Sequence, residues 1–199
     1  MSSLLELLSD QLGGDATAQI SRQVGADEGA TSKAISAALP MLMGALANNA
    51  SRADGAQSLA GALDRDHDGS VLDDISGFLG NPDVGSGDGI LGHALGAHRG
   101  AVENELGRQT GLDMSTIGKL LPILAPLVMG ALGRAKREQQ LDVGGLTSLL
   151  GGEQEQAKQM SGSLGVFAQL LDADSDGQVA DDVAKLGGGL LGRLFGRRR

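Results

Sequence analysis

Leu120-Leu121-Pro122-Ile123-Leu124-Ala125-Pro126-Leu127-Val128-Met129-Gly130-Ala131-Leu132 is the longest strongly apolar run in the chain. It holds 13 residues. A membrane span needs about 20, so the run reads as a helix buried in a protein core. A related stretch lies earlier, Ala38-Leu39-Pro40-Met41-Leu42-Met43-Gly44-Ala45-Leu46. Around it Ile35, Ala38, Leu39, Leu42 and Leu46 recur at helical spacing. Pro40 falls inside that pattern and predicts a kink.

The two stretches repeat at a fixed offset. Ile20, Val24, Gly25, Ile35, Leu39 and Pro40 match Val102, Leu106, Gly107, Ile117, Leu121 and Pro122 at a spacing of 82. Met43-Gly44-Ala45-Leu46 then returns as Met129-Gly130-Ala131-Leu132 at a spacing of 86. The extra four residues amount to about one helical turn. The chain therefore reads as an internal duplication of one helical unit.

Composition agrees with a helical core free of aromatic bulk. The 199 residues include three Phe, no Trp and no Tyr, and 41% are hydrophobic, so Leu, Ile, Val, Ala and Met must fill the interior. Strands are not signalled, because β-branched runs are almost absent. Without Cys there are no disulfides, thiolate metal sites or cysteine nucleophiles. The net charge of −9 argues against a nucleic-acid partner, which needs a basic surface. The N-terminus carries no basic segment or small-residue cleavage site. These features suggest a cytoplasmic protein.

Ten of the 25 acidic residues lie in two further repeats. The first is Asp64-Arg65-Asp66-His67-Asp68-Gly69-Ser70-Val71-Leu72-Asp73-Asp74-Ile75. The second is Asp172-Ala173-Asp174-Ser175-Asp176-Gly177-Gln178-Val179-Ala180-Asp181-Asp182-Val183. Alternating carboxylates, a glycine turn and a buried aliphatic residue are the parts of an EF-hand-like loop for a hard cation, with ligands at positions 1, 3, 5 and 7 and Gly at 6. Asp64, Asp66, Asp68 and Ser70 fill those places in the first loop. Asp172, Asp174, Asp176 and Gln178 fill them in the second. The bidentate Glu of position 12 is replaced by Ile75 and Val183, so Asp74 and Asp182, one place earlier, become the closing ligands. Calcium is the expected ion, held on the order of 10⁻⁵ to 10⁻³ M. The competing reading is an Asp-rich turn that caps a helix and binds no metal. The duplication favours the metal.

The remaining chain supplies helices. Residues 3–13 form a Leu-rich first helix ended by Gly13-Gly14. Ala16 to Val24 follows, between an Asp15 cap and Gly25. Thr31 or Asp27 caps the third. Asn48 to Gly55 reads as a turn, Gln57 to Leu63 and Val71 to Leu79 as short helices, and Ile90 to Ala97 as another. The organisation is then a first unit at 1–82, a linker at 83–89, a second unit at 90–192, and a basic tail at 193–199. His67, at loop position 4, should point away from the ion, and His93 and His98 should be solvated. The tail is expected to be solvated rather than membrane-bound.

The opening Leu-rich helix, the ALPMLMGAL of Ala38 to Leu46, the Gly89-Ile90-Leu91-Gly92-His93 run with Arg99 and Val102, and the LLPILAPLVMGAL of Leu120 to Leu132 together resemble the bacterial YidB-like group, domain of unknown function 937. The resemblance implies a helical fold and a cytoplasmic bacterial protein. It implies no activity.

The expectation is thus an all-α, non-enzymatic calcium-binding protein of two related helical units, each ending in an EF-hand-like loop. No Ser, His and Asp are spaced as a triad. The alternative is a self-assembling scaffold or protein-interaction module, a homo-oligomer through its Gly- and Ala-faced helices, in which the loops are structural turns.

Overall fold

A Ser3 hydroxyl starts the first helix. It accepts from the Glu6 N–H, and the Glu6 carboxylate accepts from the Ser3 N–H, closing a capping box on α1 (Leu4–Gln11). The computed structural model describes residues 3–160, with side chains to residue 157. After α1 come α2 (Asp15–Val24), α3 (Glu28–Ala50), α4 (Ala53–Arg65), α5 (Ile75–Gly80), α6 (Val84–Leu95), α7 (Arg99–Thr110), α8 (Met114–Glu138) and α9 (Val143–Met160). Short 3-10 turns lie at Ser70–Leu72 and Gly96–His98. No strand occurs among the described residues.

Both long apolar helices begin in the same way. α2 ends on Gly25, whose left-handed φ of 77° only glycine adopts without strain, and Asp27 then caps α3 by accepting from Ala30 N–H at 2.9 Å. α7 ends on Gly111, φ 78°, and Asp113 caps α8 by accepting from Thr116 N–H at 2.9 Å. Gly25 and Gly111, Asp27 and Asp113, and the first helical residues Glu28 and Met114 are each 86 apart. The Met-Gly-Ala-Leu runs share that spacing, as do Lys33 with Lys119 and Pro40 with Pro126. The two helix starts therefore share one spacing over their caps. That spacing of 86 stands beside the 82 of the apolar matches from Ile20 to Pro40. The other candidate cap, Thr31, is instead buried inside α3.

One core runs through both halves. α8 packs against α6, α7, α3 and α4, and α3 packs against α9, α7, α4 and α2. Leu39 and Leu42 of α3, Leu121 and Leu124 of α8, Leu91 of α6, Leu106 of α7 and Leu146 of α9 are all buried in it. α3 and α8 are each long and apolar enough to cross a membrane, but 56% and 89% of their most apolar stretches are buried inside the fold.

Several local readings change. The stretch 83–89 is not a loop: Asp83 caps α6, which includes Val84 to Gly89. One of its glycines, Gly87, is required by the packing. A Cβ at this position would collide with the Pro122 carbonyl, so α6 crosses α8 at backbone contact. That carbonyl has no helical partner, because Pro126 lacks an N–H. The expected turn at 48–55 shrinks to Ser51 and Arg52 between α3 and α4. The polar segment after residue 143 is a helix, α9, that buries Leu146, Leu150 and Ala157. It also buries Glu153, whose carboxylate accepts from Leu4 N–H at 2.9 Å and Leu5 N–H at 3.3 Å. The free donors at the start of α1 are thereby satisfied from α9.

Candidate functional site: an acidic loop seated on a long apolar helix

The first acidic loop begins inside α4. Asp64 is in its last turn, and Asp66 caps it. The chain then reverses at Gly69, φ 94°, where a side chain would be strained. Ser70 to Leu72 form a single 3-10 turn, and Asp74 starts α5 by accepting from Gly77 N–H at 2.8 Å. The expected continuous helix from Val71 to Leu79 is therefore broken at Asp73-Asp74, where a capping side chain restarts it.

The loop lies on α8. Side chains at Gly130 and Gly133 would collide with Val71 Cγ1 and the His67 carbonyl. Gly69 is itself buried against Arg134, whose Cβ would lie 2.8 Å from a Cβ added to that glycine. Gly130 and Gly133 thus form a notch that admits loop backbone, and Val71 fills it.

The end of α8 supplies charge. Lys136 Nζ lies 2.5 Å from Asp64 Oδ1, and Arg137 Nη1 lies 3.4 Å from Asp68 Oδ2. Arg134 donates to the Gly69 carbonyl at 2.9 Å and pairs with Asp73. Asp66 has a weaker partner, Arg65, at 3.9 Å. Asp68 also accepts from Ser70 N–H at 3.0 Å. That backbone hydrogen bond, the Ser70 hydroxyl and the Arg137 charge hold its carboxyl below the usual aspartate value of 3.8. Cations in the last turn of α8 also complement the helix dipole.

The predicted ligands are therefore near one another in sequence but not drawn to one point. Asp64, Asp68 and Asp74 each face a different partner. Among the described residues, no group of three or more His, Asp or Glu is gathered closely enough to hold a metal ion. The second set, Asp172, Asp174, Asp176, Gln178 and Asp182, lies outside the described residues, as does the basic tail at 193–199.

Sequence reasoning missed the partners of the loop. Arg134, Lys136 and Arg137 are 61 to 72 residues away from the carboxylates they meet. The available signal was a cluster of bases after the uncharged stretch from Leu120 to Gly133 of α8. His67 was also underrated. It is half-buried in the wall between two cavities. Burial lowers its pKa below 6.5, against an opposing pull from Asp66. The larger cavity, about 670 Å³, opens between α3, α4 and α6, with Leu46, Leu59, Ile90 and Met129 in its lining and His93 beside them.

These features define an all-helical protein in which an acidic loop is seated on a glycine-notched apolar helix. The chain belongs to a family described as bacterial protein of unknown function (DUF937), which matches residues 6–135. That span runs from within α1 to within α8 and includes the first acidic loop, but it stops before Lys136 and Arg137. α9 and the second loop lie beyond it. No curated protein and no solved structure matches the chain.

Proposed function

We propose that the chain is a non-enzymatic helical protein, built from a duplicated unit, whose acidic loops take up calcium and otherwise close on the protein's own cations. The observation that carries this reading is the set of exposed ion pairs on the first loop. Asp64 and Asp68 side chains are 58% and 49% exposed while paired with Lys136 and Arg137. Ion pairs on solvent-exposed carboxylates contribute little. A divalent cation competing for the same oxygens has to displace these pairs and the Asp74 capping bond.

Other features support it. Gly69 already has the left-handed turn that loop position 6 demands. Asp64, Asp66, Asp68 and Ser70 stand at the spacing of oxygen ligands. Asp74 would join by giving up its bond to Gly77 N–H, which ties calcium uptake to the start of α5. Calcium would also release Lys136 and Arg137 at the end of α8. The duplication is supported by the common register of 86 residues over the caps, Pro40 and Pro126, and the Met-Gly-Ala-Leu runs.

The test is a calorimetric calcium titration of the chelator-stripped full chain beside the Asp66→Ala, Asp174→Ala double variant. Two sites per chain, lost in the variant, are expected. No heat and no change in thermal midpoint up to millimolar calcium would end the calcium reading.

A second reading has its own observation. Asp74 caps α5 and Asp68 closes a turn on Ser70, so the loop is stable as a purely structural turn. The chain would then act as a self-assembling scaffold or interaction module. Light scattering separates the two: large assemblies unaffected by chelator favour the scaffold, and a monomer that changes shape with calcium favours the first reading.

A further inference from the structure

We infer that the larger cavity, between α4 and α6, binds a long-chain carboxylic acid, its carboxylate on Arg52 and its aliphatic chain along Leu59, Ile90 and Met129. The inference does not depend on calcium.

The cavity follows from how four helices pack. α4 rests on α3 and α8, and α6 rests on the same two helices. The space left between them is about 670 Å³, within the range of about 300–1,000 Å³ that small-molecule sites occupy. α4 flanks it from the cap Arg52 to the last residue Arg65, about 20 Å of helix. α6 flanks it in the opposite direction. His93, in the last turn of α6, lies at the end of α3, where the Asn49 amide donates to the His93 carbonyl at 3.0 Å. Ser86, in the first turn of α6, shares the other end with Asp66 and His67. The site is therefore an elongated groove with two distinct ends.

Its middle is aliphatic. Leu46, Leu59 and Met129 are buried and Ile90 is half-buried, and each presents an edge to the groove. No Phe lines it. Flexible aliphatic walls suit a flexible hydrocarbon chain, whose burial is favourable in proportion to the area removed from water.

The ends differ in charge. At the Ser86 end Arg65 is paired with Asp66 at 3.9 Å. Burial holds His67 below 6.5, so its imidazole is uncharged at neutral pH. At the Asn49 end Arg52 has no ion pair and no side-chain hydrogen bond among the described residues. The acid nearest to it in sequence, Asp54, lies in the first turn of α4, where it complements the helix dipole. An unpaired guanidinium at one end of an aliphatic groove matches a carboxylate, which it can bind through two parallel N–H···O bonds. A cationic head would meet Arg52 as a like charge.

The test is a calorimetric titration of the full chain with submicellar dodecanoate, in chelator so that the result is independent of the calcium titration. Dodecyltrimethylammonium serves as a probe with the same chain and the opposite head. Dodecanoate should fill one site per chain. Binding should be at least about tenfold weaker for the cationic probe, and for dodecanoate in Arg52→Gln, because a charge-assisted hydrogen bond is lost. Arg52 is exposed and unpaired, so the variant should keep the parent's thermal midpoint. Location is read from the methionine ε-methyl signals in NMR. The chain has six Met, and Met129→Leu identifies the one that matters. The Met129 signal should move with the same saturation as the heat. Equal binding of the two probes, unchanged binding in Arg52→Gln, or saturation that leaves Met129 unmoved would overturn the inference. A Met129 shift produced as strongly by phosphatidylglycerol vesicles would also overturn it, by giving the groove to a bilayer lipid rather than a free acid.

Discussion

α3 and α8 start from the same glycine turn and aspartate cap and carry the same Met-Gly-Ala-Leu run, yet their surroundings differ. α8 is enclosed. α6 crosses it at Pro122, the first acidic loop fills the notch at Gly130 and Gly133, and three cations at its end hold that loop. α3 keeps an outer stripe that is only half-buried. At equal distances from the two caps the residues differ. Gly133 corresponds to Ala47, and Arg134, Lys136 and Arg137 correspond to Asn48, Ala50 and Ser51. A missing methyl group admits backbone, and a cluster of bases admits carboxylates. The same helix start can therefore present either a closed seat or an open one.

The strongest way to break the comparison is to give α8 the methyl that α3 has. Gly133→Ala should destabilise the fold by about 3 kcal/mol in denaturant unfolding, because its Cβ meets the His67 carbonyl, which is backbone and cannot rotate away. Gly87→Ala should do the same at the α6 crossing. If Gly133→Ala is neutral, the loop is not seated as described. A smaller effect is expected at the α9 anchor. Glu153→Ala removes the acceptor of Leu4 and Leu5 N–H and should cost about 1–3 kcal/mol. Hydrogen exchange should then quicken in α1 and α9 before α8.

pH sharpens the account of His67. Its folded pKa is lowered by burial, so below 6.5 the unfolded chain takes up the proton more readily than the folded one. Stability should be complete above pH 6.5 and fall as pH drops from there toward the lowered folded value. His67→Asn should flatten that segment of the stability profile. An unchanged slope would mean that His67 is not the group responsible. The smallest expected effect on stability is at the clasp, in Lys136→Gln with Arg137→Gln, because the carboxylates that the two cations meet are about half exposed.

Much of the fold could be read from periodicity. The apolar spacing of Ile35 to Leu46 and of Leu120 to Leu132 marked the two central helices, and Gly25 and Asp27 marked boundaries, whereas Asp15, expected as a cap, is the first residue of α2 after Gly14. Pro40 can be set against Pro122, at a spacing of 82, or against Pro126, at 86, and the caps at Asp27 and Asp113 share the second spacing. The 83–89 stretch looked like a linker because its glycines suggest a loop. Only the neighbouring α8 backbone reveals that a glycine is needed for close helix contact. At the site, the loop pattern and its turn at Gly69 were legible from local residues. The cations were not, since their contacts depend on how α8 crosses the loop.

The central claim is that the loop carboxylates exchange between α8 cations and calcium. The most direct measurement is a calcium titration of the full chain beside the Lys136→Gln, Arg137→Gln variant, at fixed ionic strength. The account predicts two sites in both proteins, with one of them tightened severalfold in the variant because its competitors are gone. Unchanged or weaker calcium binding in the variant would contradict it.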